Sequence, residues 1–207
     1  MISRAIVLPG MGADSTMYGD AQWRRLPNAR FVDWPEHHGE KSIAAIAGRI
    51  VEANGIEDGE IVIGSSLGGI IACEIARLRD LRVLVLIGSA ISPREISGLL
   101  ALLHPLVSLA PVEFIQRAAG KAPGELAQMF AQSQAAFIRA ACAAIFDWPG
   151  LDTTRIKPLR IHGTRDRVVP MPREVDLRVA GGHLIAMSHP KECTAFLEAR
   201  IGLQSRC

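Results

Sequence analysis

Gly64-Ser65-Ser66-Leu67-Gly68 is a G-x-S-x-G sequence lying between an apolar run and a segment of helical spacing. In that context the central serine sits on a tight strand-to-helix turn, where its hydroxyl is exposed and the helix N-terminus offers N–H groups to a developing anion. Ser66 is therefore the candidate nucleophile. Glycine is expected at 64 and 68 because side chains there collide with the adjacent strand or helix. Ser65 is a rival hydroxyl, but it lacks the flanking spacing and is expected to pack against the sheet. A serine needs a base at neutral pH. The histidines are His37, His38, His104, His162, His183 and His189. His183, in Ala180-Gly181-Gly182-His183, directly follows the last strand-like run and is the best placed to reach the turn. His162 falls inside a strand, where a structural hydrogen bond is expected. The base in turn needs a carboxylate to hold its tautomer. Asp166 lies just after a strand; Asp152 precedes that strand and Asp176 falls within the next one.

These residues need a scaffold that collects strand ends. Apolar runs at residues 2–8, 31–34, 61–64, 82–87, 159–162 and 175–179 read as strands. Ile43, Ile46, Ala47, Ile50 and Val51 keep helical spacing, which Asn54-Gly55 ends. Residues 67–78 form a second helix. Leu126, Met129, Phe130, Phe137, Ile138, Cys142, Ile145 and Phe146 fall on one side of a helix whose first turn suits Pro123. Residues 193–201 read as a closing helix. Strands alternating with helices predict an α/β fold with a mainly parallel sheet of about six strands. Chemistry in such a sheet gathers at the carboxyl ends of the strands.

At 207 residues, the chain suits one domain. Its apolar share of 49% and charged share of 21% are those of an ordinary globular protein. A formal charge of +2 gives no basis for a nucleic-acid partner. Cys73, Cys142, Cys193 and Cys207 show no metal spacing and read as free thiols. MISRAIVLPG lacks the apolar core of a signal peptide, so a cytoplasmic location is expected. Residues 96–115 are apolar, but His104, Pro105, Pro111 and Glu113 interrupt them. They read as two short helices rather than a membrane span. Gly10-Met11-Gly12-Ala13-Asp14-Ser15 is a degenerate dinucleotide pattern ending in serine, and its glycines serve close backbone approach to a ligand instead.

The order Ser66, Asp166, His183, with the segments GSSLGG, HGTRDRVVP and GGH, resembles the α/β-hydrolase superfamily, and its small serine esterases in particular. LPGMG resembles that superfamily's oxyanion loop, with Pro9 where many members carry histidine. The resemblance covers nearly the whole chain. It implies an α/β-hydrolase fold with a catalytic triad of Ser66, Asp166 and His183, and an oxyanion hole from the N–H groups of Met11 and Leu67. It also implies that the family's first hairpin is missing and that any helical cap, within about residues 90–148, is small. The implied partner is a small-molecule acyl substrate, with no metal or organic cofactor. Gly10 and Gly12 are expected at the pocket; Trp148, with Leu99, Leu102, Leu103 and Phe114, is a candidate pocket wall whose alternative, and the stronger reading, is ordinary core or cap packing. Ester cleavage is the leading expectation. The alternatives are thioester, amide or lactone cleavage by the same triad, or a non-catalytic binding protein.

Overall fold

The computed structural model describes residues 4–96 and 124–202. Six strands form one sheet: β1 (Ala5–Leu8), β2 (Ala29–Phe31), β3 (Ile61–Ser65), β4 (Val83–Ile87), β5 (Leu159–Gly163) and β6 (Leu177–Val179). Their order is β2-β1-β3-β4-β5-β6, and every neighbouring pair is parallel. The helices among the described residues are α1 (Ile43–Asn54), α2 (Leu67–Leu78), α3 (Glu125–Gln132), α4 (Ala135–Phe146), α5 (Ile185–Ser188) and α6 (Pro190–Ile201).

Side-chain alternation explains why both faces of the sheet are buried. Ile6, Leu8, Val62, Leu84 and Leu86 point to one side, where they pack with α1, α2 and α4. Ala5, Val7, Ile61, Ile63, Val85 and Ile87 point to the other, against α6, Met129 of α3 and the short 3-10 turns that carry Met17, Tyr18 and Trp23. The caps follow the residue types. Ser42 Oγ accepts the Ala45 N–H at the start of α1, and Gly55 ends that helix in the left-handed region at φ 57°.

Several boundaries differ from the sequence reading. The second strand is Ala29–Phe31 rather than 31–34, because Trp34 leaves the sheet and its indole N–H donates to Gly10 O at 3.0 Å. The long helix expected through 126–146 is two helices. The backbone is extended at Ser133 and Gln134. The Gln134 amide meanwhile bridges to Pro35 O and the His37 N–H. The last strand is only Leu177–Val179, and Asp176 lies just before it. The closing helix begins at Pro190, three residues earlier than expected. Among the described residues no helix is long and apolar enough to cross a membrane. The candidate pocket residues Leu99, Leu102, Leu103 and Phe114, the helices read over 96–115 beyond Ile96, the helix-opening Pro123 and Cys207 lie outside the described residues.

Candidate active site

β3 ends at Ser65 and α2 begins at Leu67, so Ser66 alone makes the turn. Its φ of 51° and ψ of −119° lie in a region that a side chain seldom occupies, which costs about 1–3 kcal/mol. The surroundings hold it there. Ser66 N–H donates to Ile87 O at 3.0 Å, while its own carbonyl accepts from Gly69 N–H, Ile70 N–H and, at 2.7 Å, the Ser89 hydroxyl. Both glycines of the motif are forced by contact with backbone. A Cβ on Gly64 would run into the backbone of Gly68 and Gly69. One on Gly68 would lie 2.7 Å from Leu8 O and nearer still to Pro9 O.

The loops after β5 and β6 bring the other two residues to this turn. His183 Nε2 lies 2.8 Å from Ser66 Oγ, and His183 Nδ1 lies 2.8 Å from Asp166 Oδ2. A carboxylate only accepts, so Nδ1 carries the proton and Nε2 is left to accept from the Ser66 hydroxyl. Asp166 Oδ1 is held separately by the N–H groups of Val168 and Val169, at 2.9 and 3.0 Å. Burial pushes the Asp166 carboxyl up, but the imidazoles of His162 and His183 and the N–H of Val169 outweigh it and hold the group well below the usual carboxylate range. Such a line of hydroxyl, imidazole and carboxylate can draw a proton off the serine and return it to a leaving group.

A depressed carboxylate stabilises the fold fully above its unfolded value, near 3.8, and loses that contribution as the pH falls toward its folded value. The gap in unfolding free energy between the native chain and Asp166→Asn is therefore expected to narrow below about pH 4. Urea titrations at pH 6, 4 and 3 measure it, and a gap that widens toward acid would contradict the assignment.

The loop after β1 is pinned from three directions. Gly10 N–H donates to Met17 Sδ at 3.3 Å, Gly10 O accepts from the Trp34 indole, and Ala13 N–H closes back on Gly10 O at 3.2 Å. Neither Met11 N–H nor Leu67 N–H has an acceptor among the described residues. Gly10 and Gly12 line a cavity of about 340 Å³ beside Ser66 and His183. Trp148 does not. Its indole N–H donates to Glu74 Oε1 at 2.8 Å, deep in the core under α2, because a buried carboxylate there needs a donor.

The sequence profile of the alpha/beta hydrolase family matches residues 5–196. The chain belongs to that family. Solved structures agree in fold. One is a hydrolase from Pseudomonas aeruginosa PA01, with a TM-score of 0.73 and 16% identity over 97% of this chain and 90% of that one. A thermophilic esterase from Thermogutta terrifontis gives 0.71 and 19% over 98% and 90%. An enol-lactonase from Burkholderia xenovorans LB400 gives 0.70 and 16% over 95% and 90%. At these identities the likeness is one of fold. A search of curated protein sequences finds no match.

Within this hydrolase-family frame, the remaining sequence candidates lie elsewhere. Asp152 caps Thr154 on the surface, and Asp176 Oδ2 accepts the Arg160 N–H. His38 lies against the Arg49 guanidinium, with Nδ1 2.6 Å from Arg49 Nη2, and His189 bonds Ser188 at the start of α6. His104 lies outside the described residues. Ser65 is buried and hydrogen-bonded to Tyr18. His162 is more involved than a strand histidine need be: its Nε2 donates to Val169 O at 2.8 Å and stands 3.4 Å from Asp166 Oδ2. Sequence reasoning did not single out Ser89, Met17, Ala127, Leu184 or Ala186. Ser89 follows β4, so the rule that strand ends gather chemistry points to it. Leu184 and Ala186 follow His183 closely. Met17 and Ala127 carry no local signal.

Proposed function

We propose that this chain is a serine hydrolase that cleaves small carboxylic esters, with Ser66 as nucleophile, His183 as general base and acid, and Asp166 as its orienting carboxylate. The observation that carries this reading is the unbroken line from Ser66 Oγ through His183 to Asp166, with both gaps at 2.8 Å. In the first step the Ser66 Oγ–carbon bond forms as the proton passes to His183 Nε2. The carbon–alkoxy bond then breaks, and the same proton goes to the departing alcohol. In the second step water adds to the acyl carbon, gives its proton to His183, and the Oγ–carbon bond breaks as that proton returns to Ser66. The N–H groups of Met11 and Leu67 receive the negative oxygen in both steps. The scheme calls for no metal or organic cofactor. A small helical cap completes the site, with α3 as its described portion, where Ala127 and Phe130 line the cavity.

Thioester and lactone cleavage would use the same groups, and the solved structures of like fold include the type II thioesterase BorB and the enol-lactonase. A fluorophosphonate probe tests the shared step. The expected result is one adduct on Ser66, located by mass spectrometry and absent from Ser66→Ala. Failure to label, or a label that survives Ser66→Ala, would overturn the reading.

A further inference from the structure

The cavity beside Ser66 differs in chemistry from the surface next to it. Its walls are Met11, Ala13, Met17, Ala127, Phe130 and Ala186, and its polar side chains are Ser65, Ser66 and His183. The Ser65 hydroxyl is already engaged by Tyr18, whose own hydroxyl also reaches Leu8 O at 2.7 Å. No charged side chain among the described residues lines the cavity. At about 340 Å³ its volume lies at the low end of the range of about 300–1,000 Å³ for ligand sites. Phe130 sets one limit on it. The ring stands so close to the oxyanion loop that a Cβ on Gly12 would be 2.5 Å from it, and Gly12 itself has φ +70°. A neighbouring groove shares Met17 and, among the described residues, carries Asp14, Asp20 and Glu125 against one cation, Arg24.

From these features we infer the substrate class: a neutral ester whose acyl part is a short, uncharged aliphatic chain, buried between the oxyanion loop and α3. The inference rests on the reading of Ser66 as nucleophile. The acyl group, rather than the alcohol, belongs in the cavity. It stays bonded to Ser66 while the alcohol departs past His183 and water arrives, so the alcohol side must open to solvent. An acyl chain ending in a carboxylate would lose its hydration in the cavity and find no cation among the described residues there. The acidic groove outside disfavours polyanionic acyl carriers before they dock.

The test uses 4-nitrophenyl esters of acetate, butyrate, hexanoate, octanoate and monosuccinate, after active sites have been counted with the fluorophosphonate probe. We expect kcat/KM to rise about fourfold for each added methylene that the cavity can bury, and then to fall once it is full. The succinate monoester should lie about 100-fold or more below butyrate. Phe130→Ala should move the optimum to longer chains and Ala127→Leu to shorter ones, so the prediction survives one variant that fails to fold. With Ser66 fully labelled, a flat chain-length profile or an equally good succinyl ester overturns the substrate class alone. Without labelling, the nucleophile assignment fails and the substrate class falls with it.

Discussion

Asp166→Asn is expected to lower kcat on a nitrophenyl ester by about 10⁴-fold while leaving the chain folded. The size of the effect follows from how the carboxylate is held. Oδ1 accepts two backbone N–H groups, from Val168 and Val169, and nothing there can be answered by an NH₂ group. The new amide must therefore put its oxygen at the Oδ1 position and its nitrogen at the Oδ2 position. That nitrogen then points at His183 Nδ1, 2.8 Å away in the native site, and donates to it. The imidazole is driven to carry its proton on Nε2, which faces Ser66 Oγ and no longer accepts. His162 Nε2, at 3.4 Å from Oδ2, meets the same NH₂ group and adds a second mismatch. The fault lies in tautomer and charge, so substrate binding should change little and the loss should appear in kcat rather than KM. Asp152→Asn and Asp176→Asn are the comparisons, since those carboxylates hold a surface turn and the Arg160 N–H instead. A fall in kcat of less than about tenfold for Asp166→Asn would remove Asp166 from the proposed mechanism.

The same contrast explains what could be read from the chain alone. Ser66, Asp166 and His183 each lie within four residues of a strand's end, and Gly64, Gly163 and Gly181 mark those ends, so type and place coincide in the sequence. Trp148 is the complementary case, which the sequence leaves open between pocket and core. Beyond the last helical stripe, an aromatic residue can face a cavity or a buried carboxylate, and only packing decides; here Glu74, on a helix far away in sequence, takes its N–H. The break at Ser133–Gln134 was hidden because both halves keep apolar residues at helical spacing. What divides them is the Gln134 amide reaching Pro35 and His37, about 100 residues back. Met17 belongs with these. Its thioether accepts the Gly10 N–H and walls the cavity, yet nothing near position 17 announces it.

Gly68→Ala is expected to lower kcat by about 10²–10³-fold and the unfolding free energy by about 1–3 kcal/mol. The added methyl would meet two carbonyl oxygens, Leu8 O at 2.7 Å and Pro9 O closer still. Neither belongs to a side chain that can swing aside. Leu8 ends a strand paired on both edges, with β2 and β3. On the opposite side, Gly64 and Ser89 already crowd the backbone of Gly68 and Gly69, so α2 has no room to retreat toward β3. The displacement must fall on the loop from Pro9 to Gly12 or on the first turn of α2. These are the two segments that carry the N–H groups of Met11 and Leu67. Donors of this kind must be held within about 0.5 Å of their working position, so a shift of that order separates them from the same oxygen. Gly48→Ala supplies the control, because a methyl there meets nothing within 4 Å and sits mid-helix in α1. It should stabilise the chain by about 0.5–1 kcal/mol without touching kcat. If Gly68→Ala lost stability but labelled with the fluorophosphonate and turned over ester at the native rate, the clash would be purely structural, and Met11 and Leu67 would not be the pair that holds the oxyanion.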